Sequence, residues 1–296
     1  MNLKKLIKTI RYLLEGCAVK LGLMFFGALD VKKAGDIAAR VSKFVGKKLS
    51  VQRLAYDNLS KALPHLNQDE KEKILDDMWD NLGRIIGEFP HIAAYSAAEI
   101  ENIIEISEET RANLDAMRDS GKGGIIFSGH IGNWEIGPKV LVSYGIKSST
   151  VYRPLNNPFV EEMTAKLRDV DMIEKTASGG RKIIEVIKKG GFVIILADQK
   201  VSEGEKIKFF HDDAITTTSI ARIILKYNVL LVPARVIRLG RDFKFKVELE
   251  KPVVIQKTTD INFDILLLTR EINRKLEIWI SEYPAQWFWV HNRWKK

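Results

Sequence analysis

Apolar residues recur along this chain in two different patterns, one in its N-terminal part and one from residue 125 onward. Between residues 36 and 91 they return every three or four positions, as at Met78, Leu82 and Ile85, which is the period of a helix with one buried face. Acidic residues lead the segment that begins at Gln68, as they do in the first turn of a helix. Residues 99–119 predict a short extended link and a further helix. The pattern therefore predicts a helical N-terminal region.

From residue 125 onward, short apolar runs alternate with amphipathic segments of helical period. The predicted strands are 125–128, 149–152, 192–197 and 229–236, and the predicted helices are 134–143, 159–168, 180–189 and 217–227. Strands that alternate with helices build a mostly parallel sheet. Residues 243–250 alternate apolar and charged side chains, which predicts an antiparallel strand with one wet face. Residues 260–281 predict a long amphipathic helix.

These elements together predict an α/β protein, with a mostly parallel, mixed central sheet flanked by helices and a helical N-terminal region. The chain of 296 residues is long enough to bury a sizeable core. We divide it into an N-terminal helix over 1–30 that associates with a membrane and one large domain over 31–296. Within that domain, 31–120 is a helical lead-in and 121–296 is the α/β core.

The first 30 residues mix basic and apolar positions. A helix that spans a bilayer needs about 20 mostly apolar residues, and the stretch 12–29 approaches this but contains Glu15 and Lys20. It predicts a helix seated in the membrane interface, or a tilted span in which Lys20 reaches the interface. The alternative is an ordinary amphipathic helix packed on the domain. No small-residue cleavage site follows the apolar run, so a cleaved signal peptide is not expected.

The formal net charge of +9 favours an anionic partner, such as a membrane surface or an acidic ligand. Nucleic acid is not expected, because the basic residues are dispersed among acidic ones and no nucleic-acid-binding motif occurs. The single cysteine, Cys17, excludes an internal disulfide and a metal site built from several cysteines. Glycine-rich phosphate-binding motifs are absent from the sequence, so a nucleotide is not expected either.

The segment 128–135 carries the clearest chemical signal, because it places His130 and Glu135 directly after a predicted strand. On one continuous helix these two residues would point about 140° apart. They can meet if the chain turns at its glycines and a helix begins near Asn133. A neutral histidine oriented by a carboxylate is a general base for an alcohol that attacks an acyl group, and amides near Gly132 and Asn133 would face the oxyanion. The alternative is a structural pair, which is common by chance.

Polar residues also follow two other predicted strands. They are Arg153, Asp198, Gln199 and Lys200. The carboxyl ends of parallel strands form the ligand-binding edge of an open sheet, so we expect these residues near His130. Arg153 could instead form a surface salt bridge, and Asp198 could orient another group or be structural. Arg168 closes a predicted helix and by itself indicates only a solvated cation.

The C-terminal segment mixes Trp287, Trp289 and Trp294 with His291 and Arg293. Indole rings among basic residues suit a membrane interface. The alternative is that these aromatic side chains close the core.

Five blocks of the chain, taken in order, resemble one family. Residues 130–135 read as the H-x4-D/E motif of glycerolipid-type acyltransferases, and 129–135 resemble the bacterial lipid A late acyltransferases. The other blocks are 151–158, 196–200, Phe209-Phe210 with Ala214 and Thr216, and 283–289 with His291, Arg293 and Trp294. His211 departs from the family pattern, which more often has glycine there. The resemblance covers most of the chain.

The resemblance implies a glycerolipid-acyltransferase-like fold and O-acyl transfer by catalytic His130 and Glu135, without a metal or cofactor. It implies acyl-acyl carrier protein as the donor and a phosphorylated disaccharide precursor of lipid A as the acceptor, at the cytoplasmic face of the inner membrane. The expected substrate-binding residues are Gly132, Asn133, Arg153, Arg168, Asp198, Gln199 and Lys200. Two alternatives remain: transfer to another membrane lipid, such as a phosphoinositide mannoside or a lysolipid, or a non-enzymatic, membrane-bound lipid-binding protein.

Overall fold

The N-terminal third of the chain is helical in the computed structural model, which describes residues 3–294. Its helices are α1 (Leu3–Gly27), α2 (Val31–Gly46), α3 (Val51–Ala62), α4 (Gln68–Ala94) and α5 (Ala97–Ile103). Helix α4 begins with a capping box, because the Asn67 side chain accepts from the Glu70 N–H and Glu70 accepts from the Asn67 N–H. The predicted helical N-terminal region is confirmed.

Strands and helices alternate through the rest of the chain. The elements are β1 (Ile104–Glu105), α6 (Glu108–Asp119), β2 (Gly124–Ser128), α7 (Ile136–Ser143), β3 (Ser148–Tyr152), α8 (Pro158–Arg168), β4 (Asp171–Glu174), α9 (Ala177–Lys188), β5 (Phe192–Leu196), β6 (Glu205–Phe209), β7 (Asp212–Thr216), α10 (Ser219–Tyr227), β8 (Leu230–Arg238), β9 (Phe245–Leu249) and α11 (Ile261–Glu282), followed by a short 3-10 turn (Pro284–Gln286).

Within the described residues, a seven-stranded sheet has the order β1-β9-β8-β2-β5-β3-β4. All neighbouring pairs are parallel except β8 and β9, which are antiparallel as predicted. The predicted α/β class with a mostly parallel, mixed sheet is therefore confirmed. Strands β2 and β5 are paired in register up to Ser128 and Leu196. Their carboxyl ends therefore coincide, and the residues that follow them, 129–135 and 197–200, meet at one edge.

The structure has two sets of strands that the apolar pattern did not predict. Strand β4 has four residues, of which only Ile173 is buried, so its apolar signal is too short to detect. Strands β6 and β7 form a separate antiparallel hairpin outside the main sheet. Exposed charged residues such as Lys206 and Asp213 interrupt the apolar pattern of its strands, so the pattern does not reveal them.

Helix α7 begins at Ile136, three residues later than the predicted start near Asn133. The reason is a turn, in which Asn133 Oδ1 accepts from the Glu135 N–H at 3.3 Å. Glu135 therefore lies before the helix and not in its first turn. This places its carboxylate differently from the sequence prediction.

The C-terminal aromatic residues close the core. Trp287 and Trp289 are completely buried, and the Arg293 guanidinium is buried over the Phe209 ring at 4.7 Å. Buried side chains cannot contact lipid headgroups, so the membrane-interface interpretation is wrong for these three residues. The alternative prediction, that the C-terminal aromatic side chains close the core, is correct for Trp287 and Trp289.

Helix α1 packs on the domain by one face and exposes the other. Asn157, at the start of α8, donates to the Tyr12 carbonyl at 2.9 Å and to the Glu15 carboxylate at 3.0 Å. Large apolar side chains on the other face are exposed, and they include Ile7, Leu14, Leu21, Met24 and Phe25. Between residues 3 and 294, no helix combines the length and apolar character needed to cross a membrane. The division of the chain at residue 30 stays a prediction.

Candidate active site

His130 lies in a tight loop after β2 that only glycine can build at one position. Gly132 has a φ of +61°, and a Cβ there would lie 2.0 Å from the Val236 carbonyl oxygen. Both observations exclude a larger residue without movement of the backbone. The loop therefore passes close to β8 and turns the His130 side chain toward the sheet edge where β2 and β5 end.

Asp198 holds His130 in place. Asp198 Oδ1 lies 2.8 Å from His130 Nδ1, and Oδ2 accepts from the His130 backbone N–H at 2.7 Å. Trp287 Nε1 donates to the same Oδ2 at 2.7 Å. Asp198 is completely buried. Burial by itself would raise the pKa of this carboxyl, but the charge and hydrogen bonds of His130 lower that pKa well below its usual range.

The ionised Asp198 fixes the tautomer of His130. A carboxylate only accepts hydrogen bonds, so the proton of a neutral His130 ring lies on Nδ1 and Nε2 carries a free lone pair. The Gln199 side-chain nitrogen lies 3.1 Å from that Nε2 and donates to it. Gln199 is exposed and lines a cavity, so Nε2 faces that cavity. This is the protonation state that a general base requires.

The structure corrects the predicted hydrogen bond between His130 and Glu135. The Glu135 carboxylate accepts two hydrogen bonds from the Arg168 guanidinium, at 2.9 and 3.0 Å, and Asp198 takes the place next to His130. Burial lowers the pKa of Arg168, but the hydrogen bond and charge of Glu135 raise it above its usual value overall. Arg168 also lies over the Phe89 ring, 5.4 Å from its centroid. Arg168 is therefore a fixed partner of Glu135, not the solvated cation that its helix alone indicated.

Gly132 and Asn133 support the loop from behind, which contradicts their predicted contact with substrate. The Gly132 N–H donates to the Gln286 carbonyl at 3.1 Å, so it is not free for an oxyanion. Asn133 is completely buried and donates to Glu88 at 3.0 Å. Neither residue lines the cavity at His130. Arg238 neutralises Glu88 through two hydrogen bonds, at 2.6 and 2.7 Å.

His291 also lies at the candidate site, next to His130. Its ring centroid lies 5.0 Å from that of His130, and its Nε2 lies 3.4 Å from the Gln199 side-chain nitrogen. Burial and the nearby His130 lower the pKa of His291 to about 4, although Asp198 acts in the opposite direction. His291 is therefore neutral near pH 7. The C-terminal block contained it, but no spacing in the sequence connected it with His130.

A cavity of about 620 Å³ opens at the sheet edge beside His130. Ile194 and Ile195 both line it, and consecutive strand residues point to opposite faces of a sheet, so the cavity reaches both faces. Its predicted polar wall residues are Glu135, Arg153, Arg168, Gln199 and Lys200. Tyr152 is also on the wall, and burial together with Glu161 raises the pKa of Tyr152 to about 12. The site thus combines a histidine base, a charged pair and a largely apolar space.

This arrangement can remove a proton from a hydroxyl group beside an apolar chain. Among residues 3–294, no group of three or more histidine, cysteine, aspartate or glutamate side chains is placed to hold a metal ion. The fold and the site together are those of an α/β protein with a carboxylate-held histidine at the carboxyl end of a strand, beside a largely apolar cavity.

Comparison with known proteins identifies the family. The family model described as bacterial lipid A biosynthesis acyltransferase matches residues 1–296. The lipid A biosynthesis myristoyltransferase of Escherichia coli (strain K12) is 23% identical over 274 residues, which cover 89% of this chain and 81% of that protein. The lipid A biosynthesis acyltransferase of Haemophilus influenzae is 20% identical over 276 residues, which cover 90% of this chain and 83% of that protein.

The chain belongs to the bacterial lipid A biosynthesis acyltransferase family, and it is an acyltransferase. The resemblance carried by the five sequence blocks is confirmed.

Proposed function

We propose that the protein transfers a fatty acyl chain from acyl-acyl carrier protein to a hydroxyl group of a lipid A precursor. Family membership supports acylation of lipid A. The observation that carries the proposal is the His130 ring, which Asp198 holds by Nδ1 while Nε2 faces a largely apolar cavity. This geometry suits an alcohol that must lose its proton next to a fatty acyl thioester.

In the proposed reaction His130 Nε2 takes the proton from the acceptor hydroxyl. The oxygen then attacks the thioester carbonyl, a C–O bond forms, the C–S bond breaks, and the departing sulfur receives the proton from His130. Asp198 stabilises the imidazolium that exists between the two proton transfers. The acceptor hydroxyl replaces the Gln199 amide at Nε2, and the freed Gln199 N–H is a candidate donor to the oxyanion. No side chain becomes acylated.

Glu135 has a different part in this proposal from the one that the sequence suggested. It fixes Arg168 by two hydrogen bonds on the cavity wall, where the guanidinium can position the anionic portion of a substrate. Arg153 and Lys200 are exposed at the same cavity and extend its positive charge. Phosphate groups of a lipid A precursor complement these three cations. Glu135 and Arg168 thus act on binding and orientation, and His130 acts on the proton.

We further propose that the exposed face of α1 rests on the membrane. Its apolar side chains are flanked by the exposed Lys8 and Arg11, which suit anionic headgroups on the cytoplasmic side of the inner membrane. Helix α1 contacts the start of α8 through Asn157, and the nearby Leu155 is exposed at the cavity wall. A lipid acceptor could therefore enter the cavity from the surface on which α1 lies.

The proposal is tested by offering purified protein two donors and several acceptors. The donors are acyl-acyl carrier protein and the same chain on coenzyme A. The acceptors are a tetra-acylated, sugar-bearing lipid A precursor, a phosphoinositide mannoside and a lysolipid. Transfer from the carrier protein to the lipid A precursor alone is the expected result. Transfer to another acceptor would replace the substrate assignment, and ligand binding without transfer would favour a binding protein.

A further inference from the structure

Helices α9 and α10 cover the face of the sheet opposite to the face that carries α7 and α8. Ile125 of β2 packs in the same core cluster as Ile187 of α9 and Ile224 of α10, whereas the next strand residue, Ile126, packs with Leu141 of α7. Consecutive strand residues point to opposite faces. The crossovers through α7 and α8 run in the same direction along the sheet, so right-handed connections put both helices on one face. Helix α1 packs against the start of α8 and therefore lies on that side too.

The outer surface of α9 and α10 is strongly basic. We call it the basic face, and its six basic residues are Lys175, just before α9, Arg181, Lys182 and Lys188 on α9, and Arg222 and Lys226 on α10. All six are exposed, and among residues 3–294 none of them forms a salt bridge with a carboxylate. Glu185 is the single acidic residue of the two helices. Lys188 and Lys226 both lie over the Tyr227 ring, at 5.7 and 5.5 Å, so the helices are neighbours.

The basic face borders the main cavity at the start of both helices. Lys175, Gly180 and Ile183 line that cavity from the α9 side, and Ser219 and Ile223 line it from α10. The cavity reaches both faces of the sheet, so it is accessible from the side of α9 and α10 as well as from the side of α1. A molecule bound to the basic face would thus lie next to an entrance that leads to the proposed base.

The basic face differs from the exposed face of α1 in having no apolar component. In the described helices α9 and α10 no large apolar side chain is exposed, whereas α1 exposes several. A helix that rests on a membrane buries apolar side chains among the lipids in addition to its contacts with headgroups. Unpaired positive charge without exposed apolar side chains instead suits an acidic, water-soluble protein, whose approach it accelerates.

We propose that the acyl carrier protein, a small acidic protein, docks on the basic face and inserts its acyl-bearing arm into the cavity from there. The inference rests on the proposed function. The lipid acceptor then enters from the opposite side of the sheet, where α1 lies. Donor and acceptor approach His130 from two sides, one from water and one from the membrane, so neither blocks the other.

The test reverses charge on the basic face without touching a residue that lines the cavity. One double variant is Arg181→Glu with Lys182→Glu on α9, and the other is Arg222→Glu with Lys226→Glu on α10. The matched control is Lys122→Glu with Lys251→Glu, which reverses two exposed lysines at the opposite edge of the sheet, where β2 and β8 begin. All three proteins therefore carry the same net charge.

The first readout is transfer kinetics. Each basic-face variant should raise KM for acyl-acyl carrier protein by about ten-fold or more, since charge steering changes association rates by about 10–10³-fold. The kcat at saturating donor and the KM for the lipid acceptor should stay at wild-type values. Added NaCl should raise the donor KM of wild type more than that of the variants. The Lys122→Glu, Lys251→Glu control should keep the wild-type donor KM.

The second readout is binding without chemistry. Fluorescence anisotropy of labelled apo carrier protein, which has no arm and no acyl chain, measures docking alone. Wild type and the control should bind this probe equally, and the basic-face variants should bind it at least about ten-fold more weakly.

Folded variants of both helices with the wild-type donor KM and wild-type binding of the apo carrier protein would overturn the inference and leave the proposed function intact. An equal rise of the donor KM in the control would also overturn it, because the effect would then follow net charge and not this face. Loss of binding to anionic vesicles with an unchanged donor KM would make the basic face a membrane surface instead. Wild-type protein that transfers no chain from any donor would refute the proposed function, and this inference with it.

Discussion

At the scale of single residues, Asp198 accepts hydrogen bonds from three donors, and two of them belong to His130. Asp198→Asn keeps the size and shape of the side chain but replaces one of the two carboxylate oxygens with an NH₂ group, which donates hydrogen bonds. If that group faces His130 Nδ1, the ring proton moves to Nε2 and the base is lost. We expect transfer to fall by about 10²–10⁴-fold, the usual worth of general base catalysis.

Asp213→Asn is the matched control, since Asp213 is exposed on the hairpin and pairs only with Lys208 among the described residues. Both variants should be compared with wild type by initial transfer rate and by circular dichroism. Wild-type rates in a folded Asp198→Asn protein would show that Asp198 does not set the tautomer.

His291 predicts a specific dependence of stability on pH. Its pKa is about 4 in the folded protein and 6.5 in the unfolded chain. Between these values the unfolded chain binds a proton that the folded protein does not, so the free energy of unfolding falls as the pH falls. The contribution of His291 is fully present above pH 6.5 and decreases by about 3 kcal/mol toward pH 4.

Replacing the imidazole with an amide removes this titration. Denaturant unfolding of His291→Gln between pH 7 and pH 4 should therefore show a shallower loss of stability than wild type, whereas His65→Gln, at an exposed histidine, should match wild type. Equal slopes for wild type and His291→Gln would contradict the account of a buried neutral histidine.

At the scale of elements, the loop after β2 depends on Gly132. Gly132→Ala adds a left-handed backbone strain of about 1–3 kcal/mol and a clash with the Val236 carbonyl. Gly145→Ala is the matched control, because its φ is +69° but an added Cβ would meet nothing within 4 Å. Gly132→Ala should lower the melting temperature more than Gly145→Ala and should also reduce transfer. Equal melting temperatures would show that the loop tolerates a Cβ.

Much of the sheet could be predicted because its buried strands are short apolar runs. Phe192–Leu196 is such a run, and the amphipathic helix α9 precedes it. The hairpin β6–β7 could not be predicted in this way, since charged residues interrupt both strands. A run of apolar residues reveals a strand that is buried on both faces. It does not reveal a hairpin such as β6–β7, in which only one face of each strand is buried.

The sequence predicted the sheet edge at which the candidate site lies, but it did not predict which side chains are hydrogen-bonded to each other there. The predicted strand ends placed His130 and Asp198 at the same edge, and the two residues do meet there although they are 68 positions apart. Sequence proximity suggested Glu135 as the partner of His130, but Glu135 binds Arg168. His291 reaches the site only because the chain after α11 folds back under it, which no local pattern expresses.

At the scale of the whole molecule, the exposed face of α1 should decide membrane attachment. Leu14 and Leu21 are each 67% exposed. The double variant Leu14→Glu with Leu21→Glu removes apolar area and adds charge that anionic headgroups repel. Binding to anionic phospholipid vesicles should fall by about ten-fold or more, since burying one leucine is worth about 1.5–3 kcal/mol.

Val254→Glu is the control for this measurement, because Val254 is exposed outside α1, in the segment between β9 and α11. Cosedimentation with vesicles measures the bound fraction of each protein. Undiminished binding of the α1 double variant would place the membrane surface elsewhere on the molecule.

The central claim is that His130 activates a lipid hydroxyl for acyl transfer. Its most direct test gives purified protein in detergent an acyl-acyl carrier protein and the tetra-acylated, sugar-bearing lipid A precursor, and measures the mass of the lipid product. Wild type and the exposed-histidine control His65→Ala should add one acyl chain, and His130→Ala should add none while remaining folded. Equal product from His130→Ala and wild type would contradict the account.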